Sequence, residues 1–331
     1  MILDLIIPQY KEKEDEVKVL LDSINNQIDV DFNNIFITIV NDKSDTLLSD
    51  SFLKSYNKLN IKYLINDKNT GPGLARQKGI DNTLGDYIMF FDSDDKLFCN
   101  DALKTIIEYL NKYNPKYVVT NIVVEVYLNG KNALEIRKGR DTFPWMHGKV
   151  YQREFLEKNN IRFHETVRQL EDSYFTTCIL GVLKPSEISF LDFNSYLWRK
   201  NDKSITRKKS KYSYAVETFD EYFNTAEYIY ELLFKKKSYL RFSFLVDSYF
   251  GIYIFLNCDL FDFDELKSKR DYYSNELDKL IIKRKNIFKL FKKEELEKLF
   301  IDEAKNLKRR NGINEIYVSF NDFYNKYLNM I

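Results

Sequence analysis

Cysteine, histidine and proline are scarce in this chain, and each scarcity removes a class of protein. Cys99, Cys178 and Cys258 stand far apart and match neither a disulfide framework nor a zinc-binding spacing, so they read as reduced thiols of a cytoplasmic protein. No basic leader with a small-residue cleavage site precedes the first apolar segment, so no secretory signal is expected. No uninterrupted apolar run reaches membrane-spanning length. The nearest, Phe242 to Cys258, carries Asp247 and Gly251 and reads as a buried helix. A net charge of +1 over 331 residues excludes a whole-chain electrostatic grip on nucleic acid. The balance is uneven, however: residues 1–202 hold 26 basic and 30 acidic side chains, and residues 203–331 hold 25 and 20. For that basic half alone, an anionic membrane surface, an anionic glycan or a nucleic acid stays open as a partner.

What is present is organised around Gly85 to Phe98. The apolar run Tyr87 to Phe91 discharges into Asp92, Ser93, Asp94 and Asp95, which reads as a buried strand ending in a metal site. Asp92 and Asp94, two apart, can converge on one cation if the backbone bends, and hard oxygen ligands favour Mg2+ or Mn2+. An acidic turn that merely ends a strand is the plainer alternative. Upstream, Asp4 to Ile7 forms a strand stopped by Pro8, and Ile35 to Val40 a second ending at Asn41 and Asp42. The turn Asn69 to Gly79, with Gly71 and Gly73, leads into a helix over Leu74 to Leu84. Strands alternating with helices predict an α/β domain with a mostly parallel, Rossmann-like wound sheet. Ligands in such sheets bind beyond the carboxyl ends of the strands, where these polar residues collect.

Downstream, Asp101 to Asn111 reads as a helix, Lys116 to Val126 as a strand, and Asn129-Gly130 as a hairpin turn into Ala133 to Ile136. Trp145 to Lys149 precedes a short helix and strand within Tyr151 to Phe163. Glu171 and Asp172 open another helix, and Ser186 to Asp192 and Ser195 to Trp198 read as two late strands. From Tyr212 onward the chain has no proline and almost no glycine, with Tyr, Phe and Leu on helical spacing. The expected domains are 1–208 and an all-helical 209–331.

In this order the motifs resemble the family 2 glycosyltransferases with the GT-A fold, over roughly the first two-thirds of the chain. The resemblance implies an inverting transfer from a nucleoside diphosphate sugar, with UDP-sugar as donor, to an acceptor hydroxyl on a glycan, capsule, teichoic acid or exopolysaccharide. It implies donor contacts from Pro8, Tyr10, Asp42, Gly71, Arg76, Asp92, Ser93, Arg199, Ser204 and Arg207, and a Mn2+ or Mg2+ ion at Asp92 and Asp94. His147 is either a further ligand or a structural hydrogen-bonder, and Asp42 either meets the nucleobase or caps a helix. The Arg-x-x-Glu-Asp segment looks like the family's base motif, with Asp172 as the base, kept ionised by the helix amino end, and Glu171 beside it. The tail's aromatic stripes imply packing on the catalytic domain, a homo-oligomer contact or acceptor binding. Three rivals remain: a haloacid-type phosphatase, which wants Thr or Val where Asp95 or Lys96 stands; a non-catalytic nucleotide-sugar or glycan-binding module; and a phage-encoded transferase acting on a modified DNA base.

Overall fold

The computed structural model describes residues 1–128, 131–143, 145–168, 171–201, 223, 229–231, 242–259, 264–311 and 313–329. The chain divides into two compact units, Met1–Asp202 and Lys203–Ile331.

The first unit opens with β1 (Leu3–Gln9), α1 (Glu14–Asn25), β2 (Ile35–Asn41), α2 (Asp50–Lys54), β3 (Asn60–Ile65), α3 (Pro72–Asp81) and β4 (Tyr87–Phe90). These four strands are parallel in the order β3-β2-β1-β4. Near-continuous apolar runs suit strands covered on both faces, and Leu3, Leu5, Ile7, Ile37, Ile39 and Met89 are all fully buried. α1 lays Val17, Leu20, Leu21 and Ile24 on that core at helical spacing, worth roughly 2 kcal/mol per side chain before entropy is charged. β1 does not stop at Pro8; it runs through Gln9, with Pro8 opposite Val40. The reason lies in the register. The β4 pairing ends at Ile6 and Phe90, so the edge toward which the missing Pro8 N–H would point carries no ladder to break.

The second half of the sheet is mixed rather than parallel. It comprises β5 (Lys96–Leu97), β6 (Tyr117–Leu128), β7 (Lys131–Arg137), β8 (Lys149–Gln152) and β9 (Ile188–Trp198), with α4 (Ala102–Tyr113), α5 (Arg153–Lys158) and α6 (Glu171–Val182) between them. β8 inserts antiparallel between β4 and β6, and β9 runs parallel to β6. The strand expected after α5 therefore lies before it, at Lys149–Gln152. Ile161 and Phe163 instead bury their side chains in a non-strand segment, with Phe163 stacked on Phe175 at 4.3 Å. The two late strands are one, continuous through irregularities opposite Val119 to Ile122. At the amino ends of β1 and β4, buried Arg153 donates to Asp4 Oδ2, Thr83 Oγ1 and the carbonyls of Ile80 and Gly85. With its partners satisfied, this pair pins the sheet end remote from the strand carboxyl ends.

The second unit contains α7 (Phe242–Leu256), α8 (Asp264–Arg284), α9 (Lys293–Asn311) and α10 (Phe320–Phe323). The aromatic rows pack on one another inside it: Phe250 meets Phe323 at 4.8 Å, Phe300 at 5.2 Å and Phe288 at 6.2 Å. Among the described residues no helix is long and apolar enough to cross a membrane. The expected Asn129-Gly130 turn lies outside the described residues.

Candidate active site

The carboxyl ends of β1, β2, β4 and β9 meet the amino ends of β8, α3 and α6. β4 ends at Phe90, and the chain turns at once, the Asp95 amide donating to the Asp92 carbonyl at 3.1 Å. A turn closed between residues three apart sets Asp92 beside Asp95 rather than beside Asp94. His147 Nε2 lies 3.1 Å from Asp92 Oδ2 and 3.8 Å from Asp95 Oδ2, and one ligand atom from each of the three falls within 4.8 Å of the others. Asp94 turns its carboxylate to Asn201 Nδ2 at 2.6 Å.

The end of β9 fastens this turn. The Tyr196 hydroxyl donates to Asp95 Oδ2 at 2.6 Å and accepts the Asp92 amide at 3.2 Å. The Arg199 amide donates to Asp95 Oδ1 at 2.8 Å, and its guanidinium to the Asp94 carbonyl at 2.9 Å. His147 stacks on Trp198 at 4.8 Å and leans on Tyr196 at 5.1 Å.

Arg76, on α3, is buried and reaches both acidic groups, Asp92 at 2.6 Å and Glu171 at 2.8 Å. The helices approach closely enough for this because residue 73 is glycine; a Cβ there would lie 2.9 Å from the Glu171 side chain. Burial pushes Asp92 upward, yet the Arg76 guanidinium and His147 outweigh it and hold its carboxyl well below the usual range. Asp94 and Asp95 are pushed up by burial and by neighbouring carboxylates, Asp95 strongly. This local excess of negative charge, with an imidazole among oxygen donors, suits a small divalent cation. Asp172 is raised to about 7, by burial and then by Glu171, with Arg76 opposing. The helix amino end expected to keep it ionised is thus outweighed by burial and a like charge.

Asp42 is fully engaged in holding the glycine turn. Its carboxylate accepts from Asn66 Nδ2, the Thr70 amide and hydroxyl, and the Gly71 amide at 2.7 Å. Its sequence neighbours Asn41, Ser44 and the half-buried Thr46 form a polar network with Gln9. Pro8 is half-buried in β1, Tyr10 is exposed, and Ser93 is buried in the acidic turn. Ser204 and Arg207 lie outside the described residues. The sequence reading did not single out Asn201, Lys149, Tyr196 or Trp198 and gave Asp95 no ligand role; for Asp95 the signal was the turn-forming Asp-Ser-Asp-Asp composition itself.

A family model described as glycosyl transferase family 2 matches residues 4–171, just over half of the chain. The chain belongs to glycosyl transferase family 2. This family 2 chain is 24% identical over 207 residues to the poly(ribitol-phosphate) beta-N-acetylglucosaminyltransferase TarS of Staphylococcus aureus, covering 60% of the chain and 35% of TarS. It is 27% identical over 188 residues to the teichoic acid poly(glycerol phosphate) polymerase of Staphylococcus epidermidis, covering 51% of the chain and 25% of that protein. The chain thus spans about a quarter to a third of the length of these two relatives. Among solved structures, S. aureus TarS superposes with a TM-score of 0.67 at 18% identity, covering 93% of this chain and 55% of that one. TarS 1-349 in complex with UDP-GlcNAc gives 0.63 at 20% identity, covering 94% and 92%. At such identity the likeness establishes the fold, which is GT-A.

Proposed function

We propose that this glycosyltransferase moves a sugar from a UDP-sugar, with UDP-N-acetylglucosamine the first to test, to a hydroxyl of a phosphate-linked cell-surface polymer, with inversion at the anomeric carbon. The observation that carries the reading is the single guanidinium of Arg76, which joins the acidic turn at Asp92 to the α6 carboxylates. A base and a leaving-group site thereby stand on different elements, as a single in-line displacement requires. Asp172, raised to about 7, is balanced to accept the acceptor proton near neutral pH. As the new C–O bond forms, the anomeric bond to UDP breaks and its electron pair leaves with the diphosphate. Glu171, engaged by Arg76, keeps that guanidinium aligned. Asp92, Asp95 and His147, with Asp94 on the same turn, would hold Mn2+ or Mg2+, which when bound offsets the diphosphate charge. Arg199, fastened to the turn through Asp94 and Asp95, adds positive charge at its rim.

The acceptor class comes from the names of TarS and the poly(glycerol phosphate) polymerase, and the donor class from the TarS complex with UDP-GlcNAc. The test incubates the purified chain with UDP-N-acetylglucosamine or UDP-glucose and Mn2+, with and without poly(ribitol phosphate) or poly(glycerol phosphate), and follows UDP release. Acceptor-stimulated release is expected. No release from any nucleotide sugar would replace the reading with a binding module.

A further inference from the structure

Lys149 opens β8 and is completely buried. Burying an ammonium is costly unless each of its three N–H groups finds an acceptor, and an apolar side chain of similar length would fill the same space more cheaply. Here all three are met: Nζ lies 3.0 Å from the Thr142 carbonyl, 2.9 Å from Thr142 Oγ1 and 3.0 Å from the His147 carbonyl. The ammonium therefore joins two residues five apart in sequence and closes the chain between them into a loop. The exit of that loop is fixed independently. The Thr120 amide and hydroxyl both donate to the Gly148 carbonyl at 2.9 Å. Gly148 sits at φ +63, and a Cβ on it would come within 2.8 Å of Thr120 Oγ1, so only glycine turns the chain here. What the closed loop presents is His147, its ring laid on Trp198 and its Nε2 aimed at Asp92.

We propose that Lys149 is a positioning residue: its ammonium, tied to Thr142 and His147, sets the His147 imidazole against the acidic turn. The inference rests on the reading of His147 as part of the transfer site. Side chains that hold a ligand in place are usually worth roughly 10–100-fold in metal affinity or activity. Lys149→Met keeps most of the length and removes the three bonds.

The chain has two histidines, so the imidazole resonances are few and His147→Ala assigns them. The first measurement is imidazole NMR of the metal-free protein. Stacking on Trp198 shields the His147 ring, so folded Lys149→Met should move the His147 signals toward those of a free imidazole and leave His164 unmoved. A loop staple with no influence on His147 would leave both unmoved, and that result overturns the proposal. Thr142→Val, which removes one of the three acceptors, should give a smaller shift in the same direction. If Lys149→Met does not fold, this variant decides, and an unchanged His147 signal again overturns the proposal. The second measurement is turnover. Lys149→Met should lower kcat roughly 10–100-fold, yet lower it no further in a His147→Ala background, because the two act as one unit. Multiplicative losses would overturn it. Titrating Mn2+ and UDP into the wild-type protein separates this from the metal reading: failure to broaden the His147 signals removes the metal assignment and leaves the positioning result standing.

Discussion

Replacing Arg76 by Met removes a cation that contacts both Asp92 and Glu171 while keeping most of the apolar stem. The Arg76 side chain is 7% exposed and its two ion pairs are 2.6 and 2.8 Å long. Removing it leaves Glu171 buried and uncompensated, while solvent screens the 36% exposed Asp92, so the loss falls at the low end of the buried-pair range, about 3 kcal/mol. The sign with pH follows from the direction of each shift. In the wild type the carboxyl of Asp92 lies below its unfolded value, so its contribution is complete above the unfolded pKa near 4 and disappears as pH falls through the depressed folded value. In the variant the lowering by Arg76 is lost from Asp92, on which His147 still acts, and from Asp172, which burial and Glu171 already push up, so the folded form takes up protons more readily and the penalty is greatest at high pH. Denaturant unfolding followed by tryptophan fluorescence reports the first unit alone, because both tryptophans, Trp145 and Trp198, lie in it. The gap between wild type and Arg76→Met should be about 3 kcal/mol at pH 8 and narrower at pH 5. A gap under about 1 kcal/mol at pH 8, or an equal gap at both pH values, would refute the bridge.

Asp172→Asn should leave UDP binding nearly intact and cut turnover roughly a hundredfold or more. Because the base must be ionised and its carboxyl is raised to about 7, wild-type kcat/KM should climb to a plateau as pH passes about 7; a flat profile from pH 5 to 9 would count against the assignment. Chelation with EDTA should abolish transfer, and Asp92→Asn should do the same with Mn2+ present; full activity in excess chelator would remove the metal assignment. In the helical unit, Asp247 is raised to about 7 by burial, then by Glu303 and Asp302, so its folded form favours the proton. It therefore costs stability increasingly between about pH 4 and 7 and fully above. Asp247→Asn should stabilise this unit at pH 8 by a few kcal/mol, read from its own calorimetric transition, and hardly at all at pH 4.

The parallel half of the sheet was legible because each strand is an apolar run bounded by polar or glycine residues, as in Tyr87 to Phe91 before Asp92. β8 was not, because Lys149 interrupts its pattern and only the three acceptors around Nζ make a buried lysine tolerable. Ile161 and Phe163 mimicked a strand by alternation alone. The spacing of Asp92 and Asp94 showed that a bend in the backbone could bring them together, but not that the turn would close between residues three apart and set Asp95 beside Asp92. Asn201 was invisible for another reason: it meets Asp94 from 107 positions away, and only the fold supplies that neighbour. Arg76 and Glu171 were both legible as polar residues near the crevice, but the ion pair joining them was not.

The irregular pairing of β9 with β6 limits how this region can change length. β9 advances from Phe190 to Asn194 while β6 advances from Val119 to Asn121, and from Asn194 to Tyr196 while β6 moves one residue. Because strand side chains alternate, removing one residue between Leu191 and Ser195 would exchange the two faces downstream. Leu197 would then meet the acidic turn where Tyr196 and Trp198 now hold Asp95 and His147. Insertions and deletions among relatives should therefore occur here in pairs of residues.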